Sequence, residues 1–141
     1  MNEKIISFLK QNTCLTLSTC YNNIPYCASC FYAFDENEKM LVFKSDATTN
    51  HIKQAILNKK IAGSVSPDKL EPTRIKGIQF QGNFVVPEND LLNSLKKIYY
   101  GKYPFAIGFS GDIWALELTQ IKMTDNTLGF GKKIEWEKEV K

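Results

Sequence analysis

The segment that decides the fold is Lys39-Met-Leu-Val-Phe-Lys-Ser-Asp-Ala-Thr-Thr-Asn-His-Ile-Lys-Gln-Ala-Ile-Leu-Asn58. Its apolar start predicts a strand that ends at Ser45-Asp46, after which the chain enters a helix through Thr48-Thr49. A hydroxyl-rich helix start can hold an anionic group such as a phosphate, because its first N–H groups lack partners within the helix and the dipole adds positive charge. Additional side-chain donors are Lys44, His51 and Lys53. The alternative is an ordinary N-cap, which this segment taken alone favours.

The bulk composition is that of one globular domain spanning residues 1–141. Hydrophobic residues make up 43% of the chain and charged residues 23%. The formal net charge of +3 is too small to indicate a nucleic-acid partner, and the Lys residues form no basic stripe between exposed aromatic side chains. Only the C-terminal tail from about residue 132 is dense in charge. It mixes both signs, so we expect it to be a solvated end.

The first residues lead into a helix and contain no long apolar run. We therefore expect neither a secretory signal nor a membrane-spanning segment, and we expect a cytoplasmic protein without a membrane partner. In that compartment the four Cys are expected to be reduced.

The pair Cys27-Ala-Ser-Cys30 has the spacing of redox and zinc motifs, but it lies in an apolar segment that is typical of a strand. An offset of three residues in a strand places the two thiols on opposite faces. The chain has a single His and no second Cys pair of this spacing. We therefore expect the four cysteines to be small, half-buried core residues, without a disulfide or a metal site.

Hydrophobic periodicity and turn residues predict six strands and three helices. The predicted strands are 13–20, 25–34, 40–44, 61–66, 75–86 and 113–123, and the predicted helices are 2–11, 49–58 and about 88–101. Asn2 is the expected cap of the first helix, and Ile52, Ala55 and Ile56 are the expected inner face of the second. Short turns between most strands favour a small antiparallel barrel, mainly β with peripheral helices.

The sequence contains no catalytic motif that works without a cofactor. Gly108-Phe-Ser-Gly111 lacks the spacing of a nucleophile elbow. Gly129-Phe-Gly131 lacks the spacing of a phosphate loop or a dinucleotide fingerprint. With His51 as the only histidine, a site built on two histidines is impossible. Any chemistry would therefore depend on a bound cofactor.

The order of these segments resembles the FMN-binding split barrels, the superfamily around pyridoxamine 5′-phosphate oxidase. The resemblance covers most of the chain and rests on four pieces. These are the meander 13–34 with its Asn-Asn-Ile-Pro turn, the acidic turn and apolar strand of residues 34–45, the motif Ser45-x-x-x-Thr49-Asn50-His51, and the strand Gly77-Ile-Gln-Phe-Gln-Gly82. The resemblance implies a six-stranded antiparallel split β-barrel of Greek-key type.

The resemblance also implies an FMN site at the interface of a homodimer. The residues expected along the flavin ring are Cys27, Ala28, Ser29, Cys30, Phe31 and Tyr32. Those expected near the phosphate or the ribityl chain are Lys44, Ser45, Thr49, Asn50 and His51, and Gln79 is expected to approach the flavin or its tail. Residues of the partner, from Trp114 or the region 124–136, would close the site.

Two departures from the family limit what the resemblance implies. Asn50-His51 stands where the family has Arg-Lys, and the tail Glu135-Trp-Glu-Lys-Glu-Val-Lys141 lacks the Arg and His that bind the vitamin substrate. The implied activity is therefore a flavin-dependent oxidoreductase of another substrate, not pyridoxamine 5′-phosphate oxidase. The alternatives are a non-catalytic protein that binds flavin, haem or a deazaflavin, and a cofactor-free dimeric barrel.

Overall fold

The computed structural model describes residues 1–129 and 132–140. The helices are α1 (Glu3–Gln11), α2 (Asn50–Leu57) and α3 (Asn89–Lys102), with short 3₁₀ segments at Pro104–Gly108 and Asn126–Leu128. The strands are β1 (Cys14–Tyr21), β2 (Ile24–Asp35), β3 (Met40–Ser45), β4 (Lys60–Val65), β5 (Lys76–Val85), β6 (Asp112–Asp125) and β7 (Lys133–Glu137). All nine predicted elements are present, and the Asn2 side chain caps α1 by accepting from the Lys4 N–H at 2.8 Å.

The strands form one antiparallel sheet in the order β3-β2-β1-β4-β5-β6-β7, and additional pairing between β3 and β6 closes six of them into a ring. The connection from β3 to β4 runs through α2 and places β4 beside β1, which gives the 4-1-2-3 order of a Greek key. The predicted six-stranded Greek-key barrel is therefore confirmed. Closure leaves the barrel interior for the apolar side chains that alternate along each strand.

The C-terminal segment contains a seventh strand, so the expectation of a solvated end is wrong for residues 133–137. β7 pairs with the second half of β6, and Ile134 and Trp136 pack against the barrel core. The physical reason is an alternation that the charges obscure, because Lys133, Glu135 and Glu137 all lie on the other face. Residues 130, 131 and 141 of the predicted loop and tail lie outside the described part of the chain.

The apolar residues form two clusters, one inside the barrel and one between the barrel wall and α3. The interior contains Leu15, Leu17, Phe43 and Phe84, and the outer cluster joins Val42 of β3 to Leu95 and Tyr99 of α3. Among the described residues, no helix is long and apolar enough to cross a membrane.

The inner face of α2 is narrower than the sequence predicts. Ile52 and Ala55 are fully buried, but Ile56 is 48% exposed. Gln54 takes the third inward position, because its side-chain oxygen accepts from the buried Thr19 hydroxyl at 2.7 Å. The predicted inward position of Ile56 is therefore wrong, since an internal hydrogen bond to Gln54 fixes the rotation of this short helix.

Candidate functional site

A cluster of polar side chains lies where β3 ends and α2 begins. The His51 Nε2 atom is 2.7 Å from the Ser45 Oγ and 3.4 Å from the Thr49 Oγ1. All three side chains are half-buried, and the short turn Asp46–Thr49 brings them together. The structure brings these three predicted residues into contact, and we call them the hydroxyl–imidazole cluster. Their role at a phosphate stays a prediction.

The first turn of α2 supplies backbone donors beside this cluster. Thr49 is the N-cap residue, but its hydroxyl donates to the Asp46 carbonyl at 2.8 Å and makes no cap hydrogen bond within the described chain. The first N–H bonded inside the helix is that of Lys53, which donates to the Thr49 carbonyl. The preceding N–H groups of Asn50, His51 and Ile52 are therefore the donors that an anion at this helix end would meet.

Partial burial lowers the pKa of His51 below its ordinary value of 6.5. At neutral pH the imidazole is consequently uncharged and offers one donor and one acceptor nitrogen. The Ser45 hydroxyl can serve either role, whereas the Thr49 hydroxyl donates to an anion only after it releases the Asp46 carbonyl. The cluster is thus an electrically neutral set of donors, unlike a pair of fixed cations.

Asp46 is a residue at this site that sequence reasoning missed. Its Oδ1 accepts from the Thr48 N–H at 2.9 Å and from the Thr48 hydroxyl at 2.8 Å, and these bonds lower the pKa of the carboxyl group. The signal was present, because Asp followed two residues later by Thr is typical of an Asx turn. An ionised carboxylate at the turn opposes the binding of another anion beside it.

Lys44, a predicted phosphate donor, is engaged elsewhere in the fold. Its ammonium group donates to the Tyr100 hydroxyl at 3.0 Å and to the carbonyls of Ala106 and Phe109 at 2.8 and 2.6 Å. These bonds fasten the 3₁₀ segment Pro104–Gly108 to β3. The structure therefore gives Lys44 a structural role that competes with its predicted role as an anion ligand.

The predicted ring-binding residues lie on β2 and alternate between its two faces. Cys30 and Tyr32 point into the barrel core, where burial raises the pKa of the Cys30 thiol to about 11. Cys27 is exposed on the outer side, next to the Ser18 hydroxyl at 3.3 Å. The predicted placement of Cys27 and Cys30 on opposite faces is confirmed. The expectation of half-buried core cysteines is wrong for Cys14 and Cys27, which are exposed. Phe31 is 59% exposed.

The first two-thirds of β2 has an open edge. Residues 24–31 pair with β1, whereas pairing with β3 begins only at Tyr32–Phe43. The Tyr32 N–H donates to the Thr13 carbonyl beside β1, so strand alternation turns the peptide groups of Cys27 and Ser29 towards the other side. No strand pairs with that side among the residues that the structure describes.

This open edge begins beside the hydroxyl–imidazole cluster. Ser45 lies two residues beyond Phe43, the last residue of β3 that pairs with β2. Cys27 is five residues from Tyr32, about 16 Å along the strand. A molecule bound at the cluster can therefore extend along β2 and meet its backbone donors and acceptors.

Gln79 lies on β5, three strands away from the predicted ring-binding residues of β2. Across the sheet, Gln79 pairs with Ser64, Ser64 with Thr16, and Thr16 with Ser29. Three strand spacings amount to about 14 Å. Gln79 is therefore not a member of the hydroxyl–imidazole cluster, and its assignment to the same cofactor stays a prediction.

Gln79 instead lines a groove of about 770 Å³ on the outer surface of the sheet. Its lining combines apolar residues and the charged Lys122, Glu135 and Glu137 with five amide and hydroxyl side chains, those of Ser18, Ser64, Gln79, Gln81 and Gln120. Trp114, expected from a partner, is 7% exposed, and its indole N–H donates to the Ser45 carbonyl at 2.8 Å in its own protomer. Trp114 thus supports the cluster from the core.

Comparison with known proteins gives both a family and a fold. No family model matches the chain. A UPF0306 protein of Yersinia pseudotuberculosis is 38% identical over 129 residues, which cover 92% of this chain and 88% of the relative. A UPF0306 protein of Yersinia pestis shows the same identity and coverage.

Three solved structures share the fold at low sequence identity. A heme-binding protein from Mycobacterium smegmatis has a TM-score of 0.79 at 15% identity, and the match covers 96% of this chain and 57% of that one. A FAD-binding protein from Mesorhizobium loti has a TM-score of 0.71 at 13% identity, covering 86% and 90%. A candidate pyridoxamine 5′-phosphate oxidase from Listeria innocua has a TM-score of 0.67 at 14% identity, covering 86% and 95%. The chain therefore belongs to the UPF0306 family, and its fold is that of the pyridoxamine 5′-phosphate oxidase-like split barrels.

Proposed function

We propose that this protein binds FMN as a homodimer and acts as a flavin-dependent oxidoreductase. The observation that carries the proposal is the open edge of β2 beside the hydroxyl–imidazole cluster. FMN is a phosphate joined by a short polar chain to a planar ring whose edge carries carbonyl acceptors and an N–H donor. The two features of the protein match these two ends of the ligand.

The groups at this site are suitable hydrogen-bond donors for a phosphate. The hydroxyls of Ser45 and Thr49, the His51 ring and the first N–H groups of α2 would surround it, and Asn50 would add an amide. The peptide groups of Cys27 and Ser29 would meet the ring edge, because they already face outward for pairing. When bound, FMN would supply the redox chemistry that the side chains lack.

A complete site would require two copies of the chain. In this proposal Gln79 of the partner subunit would meet the ring, because Gln79 lies three strands, about 14 Å, from Ser29 of its own protomer. The proposed location is the cytoplasm, because four unpaired cysteines are typical of a reducing compartment.

Haem is the second candidate ligand, since the Mycobacterium smegmatis protein of the same fold is a heme-binding protein. His51 is the only histidine that could serve as an axial ligand. However, its Nε2 atom lies 2.7 Å from the Ser45 hydroxyl, which favours a hydrogen-bonding role. A deazaflavin with a phosphate tail would meet the same groups as FMN.

Titration of the purified protein with FMN, riboflavin and haemin tests the proposal. We expect FMN to bind, and riboflavin to bind at least about tenfold more weakly because it lacks the phosphate. Equal affinities for FMN and riboflavin would contradict the assignment of the phosphate to the cluster. A shift of the haemin Soret band, together with no binding of FMN, would show that the cofactor is haem and not flavin. Turnover with a reduced nicotinamide would separate an oxidoreductase from a non-catalytic binder.

A subunit-mixing experiment is expected to show that the site is shared by two copies. Gln79→Ala and His51→Ala would each impair both sites of a homodimer. In a two-fold dimer that contains one copy of each variant, one site carries both changes and the other carries neither. Unfolding and refolding an equal mixture should therefore restore FMN binding at about a quarter of all sites.

The control for mixing is each variant refolded alone, which should regain no binding. A light-scattering mass of a monomer at micromolar concentration would contradict the homodimer. Failure of the mixture to recover, when mixed dimers are present, would show that Gln79 and His51 of one site do not come from different subunits.

A further inference from the structure

Four aromatic rings form a row on the outside of the barrel. Phe31 of β2 lies 5.9 Å from Tyr103, Tyr103 lies 6.2 Å from Phe105, and Phe105 lies 6.3 Å from Phe109, measured between ring centroids. Phe31, Phe105 and Phe109 are 59%, 67% and 64% exposed, whereas Tyr103 is buried. We call these four residues the aromatic row.

Hydrogen bonds to the backbone hold the segment that carries these rings in place. Lys44 binds the carbonyls of Ala106 and Phe109, and the Tyr103 hydroxyl donates to the Tyr32 carbonyl at 2.6 Å. Neighbouring exposed aromatic side chains that are fixed by the fold mark a binding surface rather than scattered apolar exposure. Because the rings are already held in place, ligand binding costs little further conformational entropy.

The row offers no charge to an anionic ligand. Residues 104–111 contain no ionisable side chain. The two neighbouring ammonium groups are engaged, since Lys44 has three oxygen acceptors and Lys102 donates to the Asn12 carbonyl at 2.5 Å while lying over the Tyr103 ring. A flat apolar molecule without net charge is the ligand that these surroundings favour.

The row is continuous with the proposed flavin site, because Phe31 is both its first ring and the last residue of the open β2 edge. We infer that the aromatic row binds the substrate, and that this substrate is an uncharged planar aromatic compound. Its role as a substrate site rests on the proposed flavin function. The inference that the aromatic row binds an aromatic compound depends only on its four side chains.

The test uses 2-naphthol as an uncharged probe and 6-hydroxynaphthalene-2-sulfonate as its anionic counterpart, with binding followed by probe fluorescence. We expect the wild type to bind 2-naphthol at least about tenfold more tightly than the sulfonate. The double variant Phe105→Ala/Phe109→Ala should lose about tenfold in affinity for 2-naphthol, since each ring contact contributes modestly. Leu57→Ala is the matched control, because it removes another side chain that is 61% exposed, at the far end of α2. It should bind like the wild type.

The outcomes separate this inference from the flavin function. Unchanged 2-naphthol affinity in the double variant, or equal affinity for the sulfonate, overturns the inference even when FMN binds. Row-dependent 2-naphthol binding without FMN binding supports the aromatic site and rejects the flavin function. If the wild type binds no 2-naphthol and the double variant is monomeric where the wild type is dimeric, the row is a contact between copies and the inference fails.

Discussion

Alanine at Ser45, Thr49 and His51 together is expected to weaken FMN binding by about two orders of magnitude. Each side chain would contribute one hydrogen bond to the phosphate, and such bonds contribute roughly 0.5–1.5 kcal/mol when neutral. Three of them amount to about a hundredfold in affinity. The residual binding would come from the N–H groups of α2 and the edge of β2, which the substitutions leave in place. Fluorescence quenching of FMN measures the loss directly.

Two further variants show how charge near and far from the cluster affects FMN binding. Lys59→Ala removes a positive charge beyond the far end of α2 and should change FMN affinity little, because exposed charges at that distance are screened by salt. Asp46→Asn keeps the turn to Thr48 but removes the carboxylate beside the cluster, so it should strengthen binding. Unchanged affinity in the triple variant would mean that the phosphate lies elsewhere.

Protonation of His51 is expected to change the stability of the free protein and its affinity for FMN in opposite directions. Partial burial lowers its pKa below 6.5, so the unfolded chain takes up this proton at a higher pH than the folded protein. Stability of the ligand-free protein should therefore fall as the pH drops below about 6.5. A bound phosphate favours the imidazolium, so FMN affinity should rise over the same window, down to about pH 6 where the phosphate itself takes up a proton. Both trends should disappear in His51→Ala.

The sequence predicted the barrel because its decisive signals are local. Leu15 and Leu17 alternate with polar residues in β1, and the chain turns from strand to helix between Ser45 and Asn50. Such patterns depend on neighbours within a few residues. The hydroxyl–imidazole cluster was predictable for the same reason, since its three members lie within seven consecutive positions.

Two features that the sequence did not predict depend on distant contacts. Lys44 reaches carbonyls of Ala106 and Phe109, more than sixty positions along the chain, so no local pattern could show that it is engaged. The spacing of three strands between Gln79 and Ser29 follows from the registers of β5, β4, β1 and β2. β7 was missed because its apolar face has only two members, Ile134 and Trp136, among many charges.

Gly63→Ala is expected to lower the free energy of unfolding by about 3 kcal/mol, at the upper end of the usual cost of overpacking. Gly63 lies in β4 between β1 and β5, opposite Leu17 and Phe80. A Cβ atom there would lie 2.3 Å from the Phe80 Cζ and 2.3 Å from the Thr16 carbonyl oxygen. The ring could move by a rotamer change, but the carbonyl belongs to the strand ladder. The loss of stability is therefore steric in origin, and the register of β1, β4 and β5 determines it.

Gly101→Ala is the matched control, because the same methyl group at this helical position meets no atom within 4 Å. It should raise the free energy of unfolding by roughly 0.5–1 kcal/mol, since alanine loses less backbone entropy than glycine in a helix. Urea denaturation measures both variants. The double variant Gly63→Ala/Phe80→Leu separates the two contacts, since it relieves only the clash with the ring. Stability equal to that of Phe80→Leu alone would show that the backbone of β1 shifts to accommodate the methyl group, and that glycine is needed at position 63 only because of the Phe80 ring.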